Sequence, residues 1–248
     1  MHMQYFKHYS HSLNRDMEFK VYGHGGKPVL FIPCQSGRFY DFENFKMLDC
    51  WAPWLEAGEC QVFAADCLDD IAWAAMGADN RWRTENHERW YHYIVDELVP
   101  AIREISGRTD ILPFGCSMGG MHAANLFFRR PDLFDSVFAI SGVYDSLDFF
   151  GDYMDDLLYQ NCPVNYLANM PQDHFYIDMY NHRKIRIVVG QGAWEEPLVA
   201  STRRLEAVLR QKGIHANVDY WGFDVDHNWP WWFKMCEVYV PELLRKGW

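Results

Sequence analysis

Five short runs, PVLFIPC (28–34), CQVFAA (60–65), ILPFG (111–115), SVFAIS (136–141) and IRIVVG (185–190), are apolar at almost every residue. A strand can be so only when both of its faces are covered. The cover is written between the runs. Trp90, Ile94, Val95, Leu98 and Ile102 recur at helical spacing and predict a helix over about 84–105, ended by Gly107. Further helices are expected at about 118–129, 196–212 and 229–245, the third carrying Leu198, Thr202, Leu205 and Leu209 on one stripe before Gly213. Residues 4–13 and 16–23 instead alternate polar and apolar, with Met17, Phe19 and Val21 on one face, as half-buried antiparallel strands at a sheet edge do. ANVDYWG (216–222) adds an eighth strand. The expected architecture is α/β, a mostly parallel eight-stranded sheet with helices on both faces.

No repeat, low-complexity tract or linker interrupts the pattern, so residues 1–248 read as one domain. Two stretches, 66–83 and 143–183, break the alternation. The second, about 40 residues rich in Tyr, Phe, Asp and Asn, is too long for a plain connection and is expected to form a cap inserted after the sixth strand. Its rival role is an oligomer contact, so self-association into a homo-oligomer stays open.

With 49% hydrophobic and 23% charged residues, the chain has enough apolar surface to offset its ordering entropy. Its formal charge of −11 argues against nucleic acid or an anionic membrane surface as partner. No apolar run approaches the roughly 18 residues of a membrane-spanning helix, and MHMQYFKHYSHSLNRD lacks the basic-then-apolar order of a signal peptide. The cysteines are seven, an odd number without a C-x-x-C pair, which suits free thiols in a reducing compartment. A cytoplasmic location is the expectation.

The chemistry is concentrated at GCSMGG (115–120), a G-x-S-x-G with Ser117 at its centre, between an apolar strand and a helix opening near Met118. A sharp strand-to-helix turn forces the serine into a strained conformation, and glycines at 115 and 119 leave room for neighbouring backbone. Ser117 is then held out at the strand end beside the backbone N–H of Met118, where the helix terminus favours negative charge. A serine that merely caps the helix would share the pattern, but such a turn is costly to build for a cap alone.

A neutral serine needs a base, and the base an orienting acid. His227, in GFDVDHNWPWW after the last strand, is placed to be the base. The acid is sought after the seventh strand, in QGAWEEP: Glu195 is preferred, Glu196 is next, and Asp145, Asp224 and Asp226 are weaker alternatives. His122, five residues past Ser117, is expected to pack beneath the turn. Histidines 8 and 11 on a strand, and 87 and 92 on a helix, diverge too far to share an ion, and no Cys/His cluster occurs. No metal and no cofactor is expected.

The order Ser117, Glu195, His227 is that of the α/β-hydrolases. Together with FIPCQSGRFYDFENF, the SMGG elbow, GQGAWEEP and DVDHNWPWW, it makes the chain resemble the putative-esterase branch of that fold, which includes esterase D and the mycolyltransferases. The similarity is greatest to a bacterial esterase-like group within that branch. The resemblance covers nearly the whole chain and implies an acyl-transfer enzyme working on a small-molecule ester. It also implies a second oxyanion donor, the backbone N–H of Gln35. Here the sequence departs from the branch, whose third strand usually ends in His-Gly where this one has Pro33 and Cys34. Arg38 and Tyr40 in the same loop, and Trp194 and Trp229 beside acid and base, are candidate substrate contacts, with surface or packing roles as alternatives. A serine esterase is the first expectation. An acyltransferase or peptidase on the same triad, and a non-catalytic binding module on the same fold, are its rivals.

Overall fold

The computed structural model describes residues 1–245. Its eight strands are β1 (Met3–Ser10), β2 (Arg15–Tyr22), β3 (Lys27–Ile32), β4 (Cys60–Ala65), β5 (Leu112–Cys116), β6 (Ser136–Ile140), β7 (Lys184–Val189) and β8 (Asn217–Tyr220). They form one open sheet in the order β1-β2-β4-β3-β5-β6-β7-β8. Pairings β1–β2 and β2–β4 are antiparallel and the other five parallel.

The apolar runs are continuous because successive side chains serve different layers. On β3, Leu30 and Ile32 enter one core with Ile94, Leu98, Ile102 and Phe127. Val29 and Phe31 enter the other with Trp51, Leu55, Met235 and Val240. The first layer is built by α3 (Asn80–His92), α4 (Val99–Ser106), α5 (Met118–Arg129) and α10 (Glu196–Gln211); the second by α2 (Met47–Glu56) and α11 (Trp229–Leu244). On β2, which lies between the edge strand β1 and β4, Met17, Phe19 and Val21 are all buried, as their alternation requires.

Three details differ from the sequence reading. The helix expected over 84–105 is split by a widened π turn at Tyr93–Leu98. Pro100 lies just beyond it; proline lacks an N–H and its ring clashes with the carbonyl four residues earlier, and the wider turn makes room. Helix α2 was not anticipated, because Pro53 inside it reads as a breaker. Residues 143–183 carry four short helices, α6 (Leu147–Phe150), α7 (Asp156–Gln160), α8 (Pro163–Asn169) and α9 (Phe175–Asn181), and a further short one, α1 (Asp41–Asn44), precedes α2. In the first half of 143–183, Val143, Phe150, Leu158 and Cys162 pack with Met118 and Met121 beside the Ser117 turn. Leu167 and Tyr180 are fully buried against Phe127 and Phe128, where they extend the cover of one sheet face. No helix among the described residues is long and apolar enough to cross a membrane.

Candidate active site

Ser117 stands between β5 and α5 with φ 56° and ψ −128°, a conformation that L residues rarely adopt. Its N–H donates to the Ile140 carbonyl at 2.9 Å, which anchors the turn to β6. The flanking glycines are dictated by contact. A Cβ on Gly119 would lie 2.2 Å from the Ile32 carbonyl oxygen, and one on Gly115 would lie 2.4 Å from the Gly119 backbone. The first turn of α5 can therefore press against the end of β3, bringing the loop after β3 to the side of Ser117. Met118 opens α5, so its N–H has no acceptor within the helix.

His227 reaches the same point from the loop before α11. Its Nε2 is 2.9 Å from Ser117 Oγ. The ring stands edge-on to Trp232 at 4.9 Å between centroids. The loop is laced to the one after β7: the His227 N–H donates to Ala193 O at 3.0 Å and the Gly192 N–H to Val225 O at 2.8 Å. Asp226 adds to this by accepting the Ala193 N–H at 2.7 Å. Gly190 and Gly192 permit the approach, since a Cβ on them would fall 2.3 Å from Val225 O and 2.4 Å from Asp226 Oδ1.

Glu195 precedes α10 and is 0% exposed. Its Oε1 lies 3.4 Å from His227 Nδ1 and accepts the Ser141 hydroxyl at 2.6 Å. Glu196 is exposed at the start of α10. The remaining carboxylates are turned elsewhere: Asp145 pairs with Arg204 at 2.7 Å and accepts from Ser201 at 2.6 Å, and Asp224 is exposed.

Ser141 escaped the sequence reading. It follows β6, is fully buried and holds φ 48°, which aims its hydroxyl across the strand ends at Glu195. A small hydroxyl residue directly after an apolar strand was the available signal. A hydrogen bond to a charged acceptor contributes roughly 1.5–3 kcal/mol. Ser141→Ala is accordingly expected to lower kcat by about tenfold or more with KM little changed, measured by initial rates on an aryl ester.

Two cavities meet at Ser117 and His227. The smaller, about 270 Å³, is walled by Gln35, Met118, Met121, Val143, Phe149 and Leu198. Only Val143, Asp148 and Phe149 of the 143–183 segment reach it. The larger, about 410 Å³, runs between Cys34, Gln35, Ser36 and Asp41 on one side and Trp229 and Trp232 on the other. Trp229 is braced there by Phe45, stacked at 4.8 Å with 6° between planes. Burial, with Asp41 and Asp69 nearby, pushes the Cys34 thiol up to about 12, so it lines the groove as a neutral group.

Other candidate contacts lie elsewhere. Arg38 donates through Nε to Asp66 at 2.7 Å and through Nη2 to Glu18 at 3.4 Å, with its guanidinium over the Tyr40 ring. Neither Arg38 nor Tyr40 lines either cavity. Trp194, at φ 67°, is swung out by the tight turn 192–195 and is 83% exposed. Among the described residues no group of three or more His, Cys, Asp or Glu could hold a metal ion.

Solved structures with this fold include a ferulic acid esterase, 16% identical with a TM-score of 0.76 over 98% of both chains. An S-formylglutathione hydrolase from Agrobacterium tumefaciens is 15% identical, with a TM-score of 0.73 over 98% of this chain and 94% of that one. MPT51 from Mycobacterium tuberculosis is 14% identical, with a TM-score of 0.70 over 98% of both. At such identities the likeness speaks for the fold alone. No curated protein matches by sequence. The family model described as Putative esterase matches residues 10–236. The chain belongs to that esterase family and has the α/β-hydrolase fold.

Proposed function

We propose that the protein hydrolyses carboxylic esters through an acyl-enzyme on Ser117, with His227 as general base and Glu195 as its orienting acid. The observation that carries this reading is the 2.9 Å contact from His227 Nε2 to a Ser117 hydroxyl held out by a left-handed backbone. Ser117 Oγ attacks the ester carbonyl as His227 Nε2 takes its proton. The carbonyl oxygen, now an anion, is met by the N–H groups of Met118 and Gln35. His227 returns the proton to the departing alcohol, and water repeats the sequence on the acyl-enzyme. Glu195 keeps the imidazole proton on Nδ1 and stabilises the imidazolium as it forms. Side chains and backbone supply each step, so the reaction calls for no metal or organic cofactor.

The two cavities divide the substrate. At about 270 Å³ the apolar chamber is at the low end for ligand sites and suits a small acyl group. The wider groove beside Trp229 and Asp41 takes the alcohol. Phe149→Ala should therefore shift kcat/KM between short and long acyl chains by about 1–3 kcal/mol, with less effect when only the alcohol is varied. The room in that groove also supports a second reading, in which a bound alcohol rather than water captures the acyl group.

The deciding experiment is a panel of p-nitrophenyl esters of graded acyl length, together with a feruloyl ester and S-formylglutathione, with and without added alcohols. Acid release from one or more of them, with fluorophosphonate mass mapped to the Ser117 peptide, is the expected result. Transfer to alcohol in preference to water would favour the acyltransferase. No turnover and no adduct would overturn both readings.

A further inference from the structure

Asp69 has no part in the reaction as written, yet it is a carboxylate buried to 2% exposure beside the site. It begins a short 3-10 turn, Asp69–Ile71, that follows β4. Burial alone would raise its pKa, but the His122 ring and hydrogen bonds to the carboxylate hold it below the ordinary range, so it keeps its charge. Its two oxygens point in different directions. Oδ1 is 2.9 Å from His122 Nε2, and Oδ2 accepts the backbone N–H of Ser36 at 3.2 Å.

Each partner belongs to one half of the anion-binding site. Ser36 is the third residue of the turn 34–37, which is closed by the Gly37 N–H donating to Cys34 O at 2.8 Å. Ser36 has φ 56° while Gln35 stays at negative φ, the sign pattern of a type II turn, in which a non-glycine third residue is strained. Rotating the Gln35–Ser36 peptide would relieve that strain and convert the turn to type I. It would also point the Gln35 carbonyl, instead of the Ser36 N–H, at the Asp69 carboxylate. The adjoining segment grips the turn a second time, through the Cys67 thiol donating to Gly37 O at 2.8 Å. On the other side, His122 sits one helical turn beyond Met118 on α5. Its ring is fixed by His87, stacked at 5.1 Å, and by Trp90 at 4.9 Å.

We propose that Asp69 is a positioning residue for the oxyanion hole: through Ser36 it locks the turn that presents the Gln35 N–H, and through His122 it fixes that turn against the helix that presents Met118. The proposal rests on the reading of Ser117 as nucleophile with these two N–H groups as donors. It differs from a packing role in what it predicts. Donors aimed at the transition-state anion affect kcat and leave substrate binding nearly alone. A variant that removes the strain at Ser36 should also make Asp69 dispensable.

The experiment compares wild type, Asp69→Ala, Ser36→Gly and the double variant on one aryl ester, with thermal unfolding to verify folding. Asp69→Ala is expected to lose about 30-fold in kcat with KM within about twofold. Ser36→Gly, whose position lines the groove, sets its own reference rate, and on that background Asp69→Ala should cost less than about threefold in kcat. Should Asp69→Ala fail to fold, Asp69→Leu, which removes both contacts while filling the space, carries the same test with the same rescue expected. A kcat within threefold of wild type, or a loss that Ser36→Gly does not relieve, overturns the proposal. Wild type that neither turns over esters nor reacts at Ser117 removes the underlying reading and this proposal with it. An active wild type with an unimpaired Asp69 variant removes the proposal alone.

Discussion

Ser117→Ala is expected to reduce kcat on any ester the enzyme accepts by about 10⁴- to 10⁶-fold, the loss typical of a missing nucleophile in a triad. Alanine leaves the turn, the N–H groups and both cavities in place, so substrate affinity and thermal midpoint should change little. The measurement is initial rate at saturating ester, beside covalent labelling by a small fluorophosphonate. Wild type should take up one adduct and the variant none. A variant that keeps a tenth of the activity would show that the reaction runs through another group.

The adjacent glutamates give the second large effect. Glu195→Gln is expected to lower kcat by about 10³- to 10⁴-fold, whereas Glu196→Gln should stay within about twofold of wild type. The contrast follows from place. Glu195 is wholly buried, faces His227 Nδ1 and accepts from Ser141, while Glu196 is exposed one residue on. An amide at 195 can still accept from Ser141, so the fold should hold. Both contacts use Oε1, so an amide oxygen kept there is a neutral acceptor that no longer stabilises the imidazolium, and an amide turned the other way aims its NH₂ at Nδ1 and favours the imidazole tautomer that cannot take the Ser117 proton. Melting curves for both variants separate lost chemistry from lost structure, and the reverse order of effects would move the acid to Glu196.

The sheet was legible because burial on both faces leaves a plain trace: each apolar run in the sequence is a strand within a residue or two. The turn at Ser117 was legible for a related reason, since glycines that admit a neighbouring backbone cannot be exchanged for anything else. What the sequence hid depends on contacts between distant segments. Nothing around Ser141 announces that Glu195, 54 residues on, will end beside it. Arg38 reads as a substrate contact until Asp66, brought alongside by the pairing of β3 with β4, claims its guanidinium. Trp194 reads as a pocket wall, but the turn that buries the next residue must expose this one. The stretch 143–183 reads as a cap by its length. Its first half packs beside Met118 and Met121 at the site, while Leu167 and Tyr180 in its second half cover the flank of α5 and the sheet.

Among the described residues, six that are not glycine have left-handed backbone: Asn14, Ser36, Lys46, Ser117, Ser141 and Trp194. Four of them surround the site, in the turn after β3, at Ser117, behind Glu195 and just before it. Each carries a conformational cost on the order of 1 kcal/mol or more, which the packed layers must offset. The end of the sheet that holds Ser117 thus carries a concentrated conformational cost. Gentle heating should silence the enzyme before the sheet melts, and a core substitution too mild to unfold the chain can still inactivate it. On the proposed mechanism, glycine at 117 or 141 would relieve the load only by discarding a hydroxyl in use, whereas at Trp194, exposed and outside both cavities, it should raise thermal tolerance at no cost to the reaction.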